Sequence, residues 1–478
     1  MFWQRRDTDQ LKKIQKVSIN DNLIVECGEG ESIYQVLTDS GFAFLGNCGG
    51  KGICKKCFVD VQKQTPSMEK ASAPERVLAC EYKIQSNISV YTGSLWQRIG
   101  DHKNTDAGRF PKEQGMGEHK HIGVAVDLGS TTIAVSCMDL DSTEEITAFS
   151  FSNPQYAYGA DVISRIRFCM EKKDNLLLLG QLVKQTLQEQ LKKNLGRLYS
   201  CIRRIVYSGN TTMLHILRGF PVEGLSKAPF TPISTDYGER EEDGMEVIFP
   251  PGLSAFVGAD ILTGVQTLKM GKTQNFDLLV DLGTNGELFL LNKDCGYAAA
   301  TACGPVFDSA VSGAAYGSES IKAIANCVKR RLIDASGKIA QPYFDRGIEI
   351  DRDFVIRQEN IRDFQLAKGA IFAGIQCLIR KAGITAARIE NVYISGGLGF
   401  YMDIRDAFTV KMLPKEFTGK ISISGNSSLE GAKKLLTADP KRRQEILSEY
   451  QSIKKRTISF ELADLETFQD TFMKSLDF

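Results

Sequence analysis

Two stretches, IGVAVDLGSTTIAVSC (residues 122–137) and LLVDLGTNGELFLL (residues 278–291), share one pattern. Each has an apolar run that ends in Asp-Leu-Gly, a turn of small polar residues, and a second apolar run. Apolar runs on both sides of a Gly-containing turn predict a β-hairpin. Because the pattern occurs twice and far apart in the chain, it predicts two related subdomains rather than a solenoid of short repeats.

Both hairpins carry groups suited to phosphate. Gly and Ser/Thr direct backbone N–H and hydroxyl groups at phosphate oxygens, while a strand-end Asp can hold water on Mg²⁺. A single Asp-Gly turn needs no ligand, but two facing turns would grip the β- and γ-phosphates from both sides. The aspartates are Asp127 and Asp281. The predicted phosphate-binding residues are Gly129, Ser130, Thr131, Thr132, Gly283, Thr284 and Asn285.

Two further segments accompany the hairpins. NVYISGGLGF (residues 391–400) reads as an apolar strand followed by glycines, and Gly396 and Gly397 there allow a flat adenine to lie against the backbone; a plain turn is the alternative. FVGADILTGV (residues 256–265) places Asp260 at a helix start, either as a cap or as a catalytic carboxylate. Asp161 in YGADVISRI reads as a cap.

The organisation of the chain changes at about residue 121. Beyond it, strand–turn–strand segments alternate with long amphipathic helices, predicted at 173–200 and 364–383, which indicates α/β architecture to residue 478. Before it, residues 15–95 combine a hairpin, one short helix and further strands, which fits a small strand-rich domain. The polar, Gly-rich residues 96–120 are predicted to form a flexible linker.

Four cysteines in the N-terminal region have the spacing Cys48-x5-Cys54-x2-Cys57-x22-Cys80. Thiolates suit zinc and iron–sulfur clusters alike. Structural zinc usually takes two C-x2-C pairs, whereas three ligands in one loop plus a distant fourth is the plant-type 2Fe-2S pattern. The loop has five residues, not the plant-type four, between its first two cysteines. We favour a 2Fe-2S cluster, with zinc as the alternative.

The bulk composition excludes some functions. A net charge of +1 over 478 residues gives no basic footprint for nucleic acid. No run of apolar residues is long enough to span a membrane. The polar N-terminus is unlike a signal peptide, so we expect the 12 cysteines to lie in a reducing cytoplasm. Outside the cluster, we expect the cysteines from Cys137 to Cys377 to be buried small hydrophobes.

The ordered set DLGSTT, IVYSGNTT, GADIL, DLGTNGE and ISGGLG resembles the acetate and sugar kinase/heat-shock chaperone/actin superfamily. Together with a 2Fe-2S domain, the chain resembles the ATP-dependent reductive activators of corrinoid proteins, to which NPQYAYGADVISRI and YSGNTTM are also similar. There are two departures. The first hairpin follows the ferredoxin domain so closely that the extra middle domain of some members is expected to be absent. No cysteine follows Cys377, so C-terminal 4Fe-4S clusters are not expected.

The resemblance implies a fold and a reaction. The fold is an α+β β-grasp ferredoxin-like domain followed by a two-lobed α/β actin-like ATPase domain of duplicated ribonuclease H-like subdomains. The reaction passes one electron from the cluster to Co(II) of a corrinoid protein, which regenerates Co(I), with ATP and Mg²⁺ as cofactors. The electron comes from an external low-potential donor. A homodimer is suggested by the resemblance alone.

The resemblance also assigns roles. Asp127 and Asp281 organise Mg²⁺ and its water, Asp260 orients the attacking water, and Gly396 and Gly397 border adenosine. Two alternatives stay open: a redox-regulated small-metabolite kinase and a chaperone-like ATPase with a metal module. An activator of 2-hydroxyacyl-CoA dehydratases is chemically close, but that class carries a 4Fe-4S cluster across a dimer and no separate ferredoxin domain.

Overall fold

The computed structural model describes residues 14–20, 23–40, 42–44, 57–63, 74–92, 96–98, 121–283, 285–301, 317–350, 354–396 and 402–478. The chain divides into two compact units, one of residues 1–101 with 156–160 and one of the remaining residues to 478. No helix in the described ranges is both long and apolar enough to cross a membrane.

The N-terminal unit is built on a five-stranded mixed sheet in the order β2-β1-β6-β4-β5. The central pair β1 and β6 is parallel and the other neighbours are antiparallel. Its elements are β1 (Ile14–Ile19), β2 (Leu23–Gly28), α1 (Ile33–Asp39), β3 (Phe42–Phe44), β4 (Phe58–Lys63), β5 (Glu75–Leu78), β6 (Ile88–Thr92) and β7 (Trp96–Arg98).

Alternating side chains of these strands form the core of the unit. Val17 and Ile19 of β1 pack with Ile33 and Leu37 of α1. Residues two apart in a strand, and four apart in a helix, lie on the same face, so each pair points into the core. The predicted hairpin and helix are confirmed. The predicted linker begins too early, because Trp96–Arg98 pairs with β3 as a strand. The rest of the predicted linker, residues 99–120, lies outside the described residues.

The second unit contains two lobes, and the first has a six-stranded sheet in the order β10-β9-β8-β11-β13-β12. Helices α2, α3 and α4 pack against it around the core residues Val126, Ile166, Leu187 and Ile216. The elements are β8 (Ile122–Leu128), β9 (Thr132–Asp139), β10 (Glu145–Ser152), α2 (Val162–Glu171), α3 (Lys173–Leu195), β11 (Ile202–Gly209), α4 (Thr211–Arg218), β12 (Gly238–Glu242) and β13 (Met245–Phe249).

The second lobe has a six-stranded sheet in the order β20-β19-β14-β15-β16-β21. The chain enters it through α5 (Ala259–Leu268). The further elements are β14 (Phe276–Leu282), β15 (Gly286–Leu291), β16 (Gly296–Thr301), α6 (Gly317–Lys329), α7 (Tyr343–Arg346), β17 (Ile348–Glu349), β18 (Val355–Ile356), α8 (Gln358–Lys381), β19 (Ile389–Ser395), α9 (Ile404–Thr409), β20 (Ile421–Ile423), α10 (Ser427–Thr437), α11 (Pro440–Lys455), β21 (Thr457–Ser459) and α12 (Glu466–Lys474).

The two sheets repeat one topology. The order β10-β9-β8-β11-β13 in the first lobe corresponds to β16-β15-β14-β19-β20 in the second. In each lobe the first three strands are antiparallel and the last two run parallel to the first. The predicted duplication is therefore confirmed. Of the two helices predicted in detail, α3 ends earlier and continues as a 3₁₀ turn over Gly196–Cys201, and α8 begins earlier, at Gln358.

The lobes meet through α5 and α10, which cross closely. The crossing needs small residues, because a Cβ at Gly431 would collide with the carbonyl oxygen of Thr263, and one at Gly264 would lie 2.8 Å from Ser427 Oγ. Ala125 and Val206 of the first sheet and Leu279 and Phe289 of the second belong to the same apolar core around this crossing. The contact thus joins both sheets through a single core.

Gly431→Ala should destabilise the protein by about 2–3 kcal/mol, because overpacking against backbone cannot be relieved by a rotamer change. Urea unfolding of the second unit within the full chain measures the effect. Lys434→Ala, on the exposed side of the same helix, is the matched control and should change the free energy of unfolding little. Equal stability of Gly431→Ala and the wild type would contradict the close crossing.

Candidate functional site

Equivalent positions of the duplicated fold bring two carboxylates close enough together to interact electrostatically. Asp127 lies near the end of β8 and Asp281 near the end of β14, each the first strand of its lobe. Each aspartate has a serine as its neighbour on the adjacent parallel strand, Ser208 on β11 and Ser395 on β19. The structure therefore confirms that the repeated motifs occupy equivalent places.

Both carboxylate oxygens of Asp127 accept hydrogen bonds from the second lobe. Asn426 Nδ2 donates to Oδ2 at 2.7 Å and Ser428 Oγ donates to Oδ1 at 2.7 Å. Ser428 Oγ also lies 3.0 Å from Ser208 Oγ, and Ser208 Oγ lies 2.9 Å from Thr263 Oγ1 of α5. The start of α10 thus fixes the orientation of the first aspartate.

Asp281 is held within its own sheet. The hydroxyl of Ser395 bonds to its Oδ2, and Glu287 lies directly opposite it on β15. In the first lobe the position opposite Asp127 is Ala134. The duplicated hairpins therefore differ by one buried carboxylate, which only the second possesses.

Asp260 lies in the first turn of α5, whose N-cap is Gly258. Its Oδ1 accepts a hydrogen bond from the N–H of Ile261 at 2.9 Å, so the side chain does not act as the cap. A Cβ at Gly258 would lie 2.5 Å from Asn210 Cα, which shows how closely the YSGN turn approaches the start of α5. By contrast, Asp161 is a true N-cap of α2, where it accepts from Ser164 N at 2.7 Å, as predicted.

The four carboxylates affect one another electrostatically. Burial, together with the charges of Asp281 and Asp127, raises the pKa of Asp260 to about 8. Burial and the charge of Asp127 raise the pKa of Asp281 to about 6, although the Ser395 hydrogen bond opposes the shift. Burial and the charges of Asp260 and Asp281 raise the pKa of Glu287 well above its usual value. Burial also raises the pKa of Asp127, against its two hydrogen bonds.

Such a cluster favours either protons or a cation. Within the described part of the chain, no lysine or arginine forms an ion pair with these carboxylates. No three Asp, Glu, His or Cys side chains in the described ranges are close enough together to hold a metal ion directly. A cation bound here through its water molecules fits both observations.

The turns that follow the aspartates are tight. In the first, a Cβ at Gly129 would lie 2.5 Å from Thr132 O, and Ser130 is buried while Thr132 is exposed. In the second, Gly283 N donates to Asn285 O at 3.0 Å. Thr284 lies outside the described residues.

Gly396 follows β19 at a φ of +86°, a conformation that favours glycine. A Cβ there would lie 2.5 Å from Leu282 O and 2.7 Å from Asp281 Oδ1. This close approach places Gly396 against the second Asp-Leu-Gly hairpin. Gly397 lies outside the described residues, and the adenosine contact of both glycines stays a prediction.

In the N-terminal unit, two of the four predicted cluster cysteines are described and lie together. Cys57 Sγ and Cys80 Sγ are 3.1 Å apart, and Cys80 N donates to Cys57 Sγ at 3.5 Å. The pairing of β4 with β5 brings them together, since Phe58 lies opposite Leu78. A pair of thiolates with an N–H donor suits a shared iron. Cys48 and Cys54 lie outside the described residues.

Most of the other cysteines behave as predicted. Cys137, Cys169, Cys327 and Cys377 are buried. The prediction is wrong for Cys201 and Cys295, which are only half-buried. The remaining one, Cys303, lies outside the described residues.

Sequence reasoning missed several site residues. Glu287 belongs to the quoted DLGTNGE motif, and alternation along β15 places it opposite Asp281, but no role was assigned to it. Ser208 and Ser395 occupy equivalent strand positions in the two lobes. The signal in the sequence is that each is followed by glycine at the end of an apolar strand. Asn426 and Ser428 lie in SGNSSLEG, which reads as an ordinary helix start.

Comparison with known proteins agrees with this architecture. Family models match the RACo middle region at residues 122–273, the C-terminal domain of RACo (the ASKHA domain) at 275–316 and 308–478, and the 2Fe-2S iron-sulfur cluster binding domain at 17–85. The middle-region model matches the first lobe itself, which begins with the first hairpin, and the expected absence of an extra middle domain stays a prediction.

Relatives and solved structures match along most of the chain. The corrinoid activation enzyme RamQ of Eubacterium limosum is 26% identical over 90% of this chain and 93% of its own length. The [Co(II) methylated amine-specific corrinoid protein] reductase of Methanosarcina barkeri is 23% identical over 74% of this chain and 77% of its own length. A solved structure of a reductive activator for corrinoid, iron-sulfur protein has the same fold, with a TM-score of 0.68 and 23% identity. The match covers 97% of this chain and 98% of the solved chain.

Fold and site thus define an actin-like, ASKHA-type ATPase joined to a 2Fe-2S cluster binding domain. Because two models of one family together match residues 122–478, the chain belongs to the RACo family, the ATP-dependent reductive activators of corrinoid proteins.

Asp260→Asn should stabilise the metal-free, nucleotide-free protein at pH 8 by several kcal/mol, with an upper bound of about 6 kcal/mol at about 1.4 kcal/mol per pKa unit. The pKa of Asp260 rises from 3.8 to about 8 on folding. The folded protein therefore binds more protons than the unfolded chain between these values, and it loses stability as the pH rises. The gain should shrink at pH 5.

Urea unfolding in the presence of a chelator, at both pH values, measures this gain. Asp470→Asn, which changes an exposed aspartate, is the control and should alter the free energy of unfolding little at either pH. An equal gain for Asp260→Asn at pH 5 and pH 8 would show that electrostatic repulsion in the cluster is not its cause.

Proposed function

We propose that this chain reactivates a corrinoid protein by passing one electron from a 2Fe-2S cluster to Co(II), which gives Co(I), in a reaction driven by ATP. Family membership and the names of two relatives, an activation enzyme and a reductase for corrinoid proteins, support the proposal. The observation that carries it is the presence in one chain of paired cluster cysteines and of duplicated phosphate hairpins around buried carboxylates.

The coupling to ATP has an energetic reason. Plant-type 2Fe-2S clusters have potentials of about −400 mV. Transfer of one electron to an acceptor whose reduction potential is 100 mV more negative costs about 2.3 kcal/mol. A donor–acceptor pair that leaves such a gap needs a second source of free energy, and an ATPase in the same chain supplies one.

Cys57 and Cys80 fit the cluster through their paired sulfurs, and Cys48 and Cys54 complete the set in our proposal. A 2Fe-2S cluster held by these cysteines would supply one-electron transfer between an external low-potential donor and the corrinoid protein. The N–H of Cys80 donates to Cys57 Sγ, which stabilises negative charge on that sulfur. The external donor, a homodimer and a cytoplasmic location stay predictions.

In the ATPase site, we assign Asp127 and Asp281 to the water shell of Mg²⁺, whose charge offsets their mutual repulsion. Ser130, Thr131, Thr132, Thr284 and Asn285, with Gly129 and Gly283, bind phosphate, and Gly396 and Gly397 border adenosine. Asp260 orients the attacking water, since phosphoryl transfer depends on positioning and charge stabilisation. A carboxylate whose pKa is raised to about 8 also suits a proton acceptor near neutral pH.

The first experiment is a visible and EPR spectrum of anaerobically purified protein before and after dithionite. We expect visible bands that bleach and a one-electron rhombic signal. The Co(II)-to-Co(I) change of a corrinoid protein is then followed by absorbance with and without ATP. A colourless protein that contains one zinc ion would refute the electron-transfer function.

Cys80→Ala should abolish the visible bands and Co(II) reduction but leave nucleotide binding intact, because alanine cannot ligate iron. Cys27→Ala is the matched control, since Cys27 is buried in the same domain on β2 but is not a proposed ligand. Absorbance, iron content and Co(I) formation measure the difference. A full cluster signal in Cys80→Ala would remove Cys80 from the ligand set.

Ser428→Ala should lower the kcat of ATP hydrolysis about fivefold to tenfold and raise the Mg²⁺ concentration needed for half-maximal rate, because Asp127 loses a buried donor. Ser427→Ala is the control. The Ser427 hydroxyl is buried and has no hydrogen-bond partner among the described residues, so its loss should leave both quantities unchanged. Identical Mg²⁺ dependence of the two variants would contradict the role of Ser428.

A further inference from the structure

Residues 153–165, which comprise the connection from β10 to α2 and the first turn of α2, contain the NPQYAYGADVISR motif but have no role in the reaction described so far. Three of its side chains, those of Asn153, Gln155 and Arg165, are fully buried. Buried polar and charged side chains are costly unless each finds partners. Their partners therefore indicate what the segment does.

Asn153 binds both sides of the turn that follows Asp127. Its Nδ2 donates to Gly129 O at 2.8 Å, and its backbone N–H donates to Thr131 O at 2.8 Å. Its Oδ1 accepts from the N–H of Gln155 at 3.0 Å. One residue thus fixes two carbonyl groups of the first phosphate loop, residues 129–131.

Arg165 fixes the carbonyl between them. Its guanidinium donates to Ser130 O at 2.5 Å and to Gln155 Oε1 at 3.3 Å. Gln155 is in turn anchored to α3, because its Nε2 donates to Leu179 O at 3.1 Å. The guanidinium is thereby held in place directly behind the loop.

Three consecutive carbonyl groups of the loop therefore accept hydrogen bonds from one segment. In a planar trans peptide the N–H points opposite to the carbonyl of the same unit. The N–H groups that follow these carbonyls consequently face away from Asn153 and Arg165. Convergent backbone N–H groups form an anion site, and a buried positive charge behind them adds attraction for an anion.

We propose that Asn153 and Arg165 are positioning residues for the first phosphate loop, which turn its N–H groups toward the β- and γ-phosphates of the nucleotide. The inference rests on the proposed ATPase function and deepens it. It gives the NPQYAYGADVISR motif a task in nucleotide recognition, although neither side chain touches the nucleotide.

The variants Asn153→Ala, Arg165→Met and Arg165→Lys test the inference in the full-length protein. Ser164→Ala is the matched control, because the Ser164 hydroxyl belongs to the capping box of α2 and donates to Asp161 O. Dissociation constants for AMP-PNP and for AMP, both with Mg²⁺, are measured beside the thermal unfolding temperature. The ratio of the two constants isolates the phosphates that AMP lacks.

Asn153→Ala and Arg165→Met should weaken AMP-PNP binding about tenfold relative to AMP, since each removes a buried donor to the loop. Arg165→Lys keeps the charge and should recover part of the loss. Ser164→Ala should lower the unfolding temperature without changing the ratio. If Arg165→Met fails to fold, the binding ratio of Asn153→Ala, which loses only a neutral amide, tests the inference.

A wild-type ratio in Asn153→Ala, with a lowered unfolding temperature, would overturn the inference and leave these residues a structural role alone. Failure of the wild-type protein to bind AMP-PNP is a different result. It would refute the proposed ATPase function itself.

Discussion

The crossing of α5 and α10 determines the geometry of the ATPase site, because both helices begin in it. Gly264 and Gly431 allow the two backbones to approach until Ser427 and Thr263 touch the opposite helix. α5 then presents Asp260 in its first turn, while the start of α10 presents Asn426 and Ser428 to Asp127. Residues far apart in the chain thus meet at one carboxylate. A shift between the lobes breaks these hydrogen bonds, so lobe position and orientation of Asp127 are physically linked.

The same packing makes the site electrostatically costly. Burial raises the pKa values of all four carboxylates, and the charges of neighbouring aspartates add to the shifts of Asp260, Asp281 and Glu287. None of the four forms an ion pair with a lysine or arginine in the part of the chain that the structure describes. Such a cluster is tolerated because the surrounding cores hold it in place. A cation that binds it relieves the repulsion, and binding that favours the folded state adds to stability. In the proposed ATPase site, the binding of a metal–nucleotide complex would therefore add to the stability of the folded lobes.

The sequence allowed the duplicated hairpins, the three aspartates and the cysteine framework to be predicted because each lies within a local pattern. Asp127 and Asp281 end apolar strands beside glycine, and Cys57 and Cys80 follow known ligand spacing. Asn426 and Ser428 could not be predicted in the same way, since their partner is almost 300 residues away and only tertiary folding brings them together. The early start of α8 was missed because its first turn is polar. The similarity between IVYSGN and VYISGG is a further sign of the duplication, because the two segments include equivalent strands of the two lobes.

The two hairpins have kept one topology and diverged in charge. Asp127 faces Ala134 and accepts two hydrogen bonds from the second lobe, which favour its ionised form. Asp281 faces Glu287, whose own pKa is raised well above its usual value by burial and by the charges of Asp260 and Asp281. Behind the first loop lies the guanidinium of Arg165, bound to Ser130 O. The first loop thus has a buried positive charge behind it, whereas the second hairpin has a second carboxyl group beside its aspartate. A symmetric fold has therefore become a site with a defined polarity. In the proposed ATPase site, the first loop favours an anionic phosphate and the carboxyl pair of the second favours a cation.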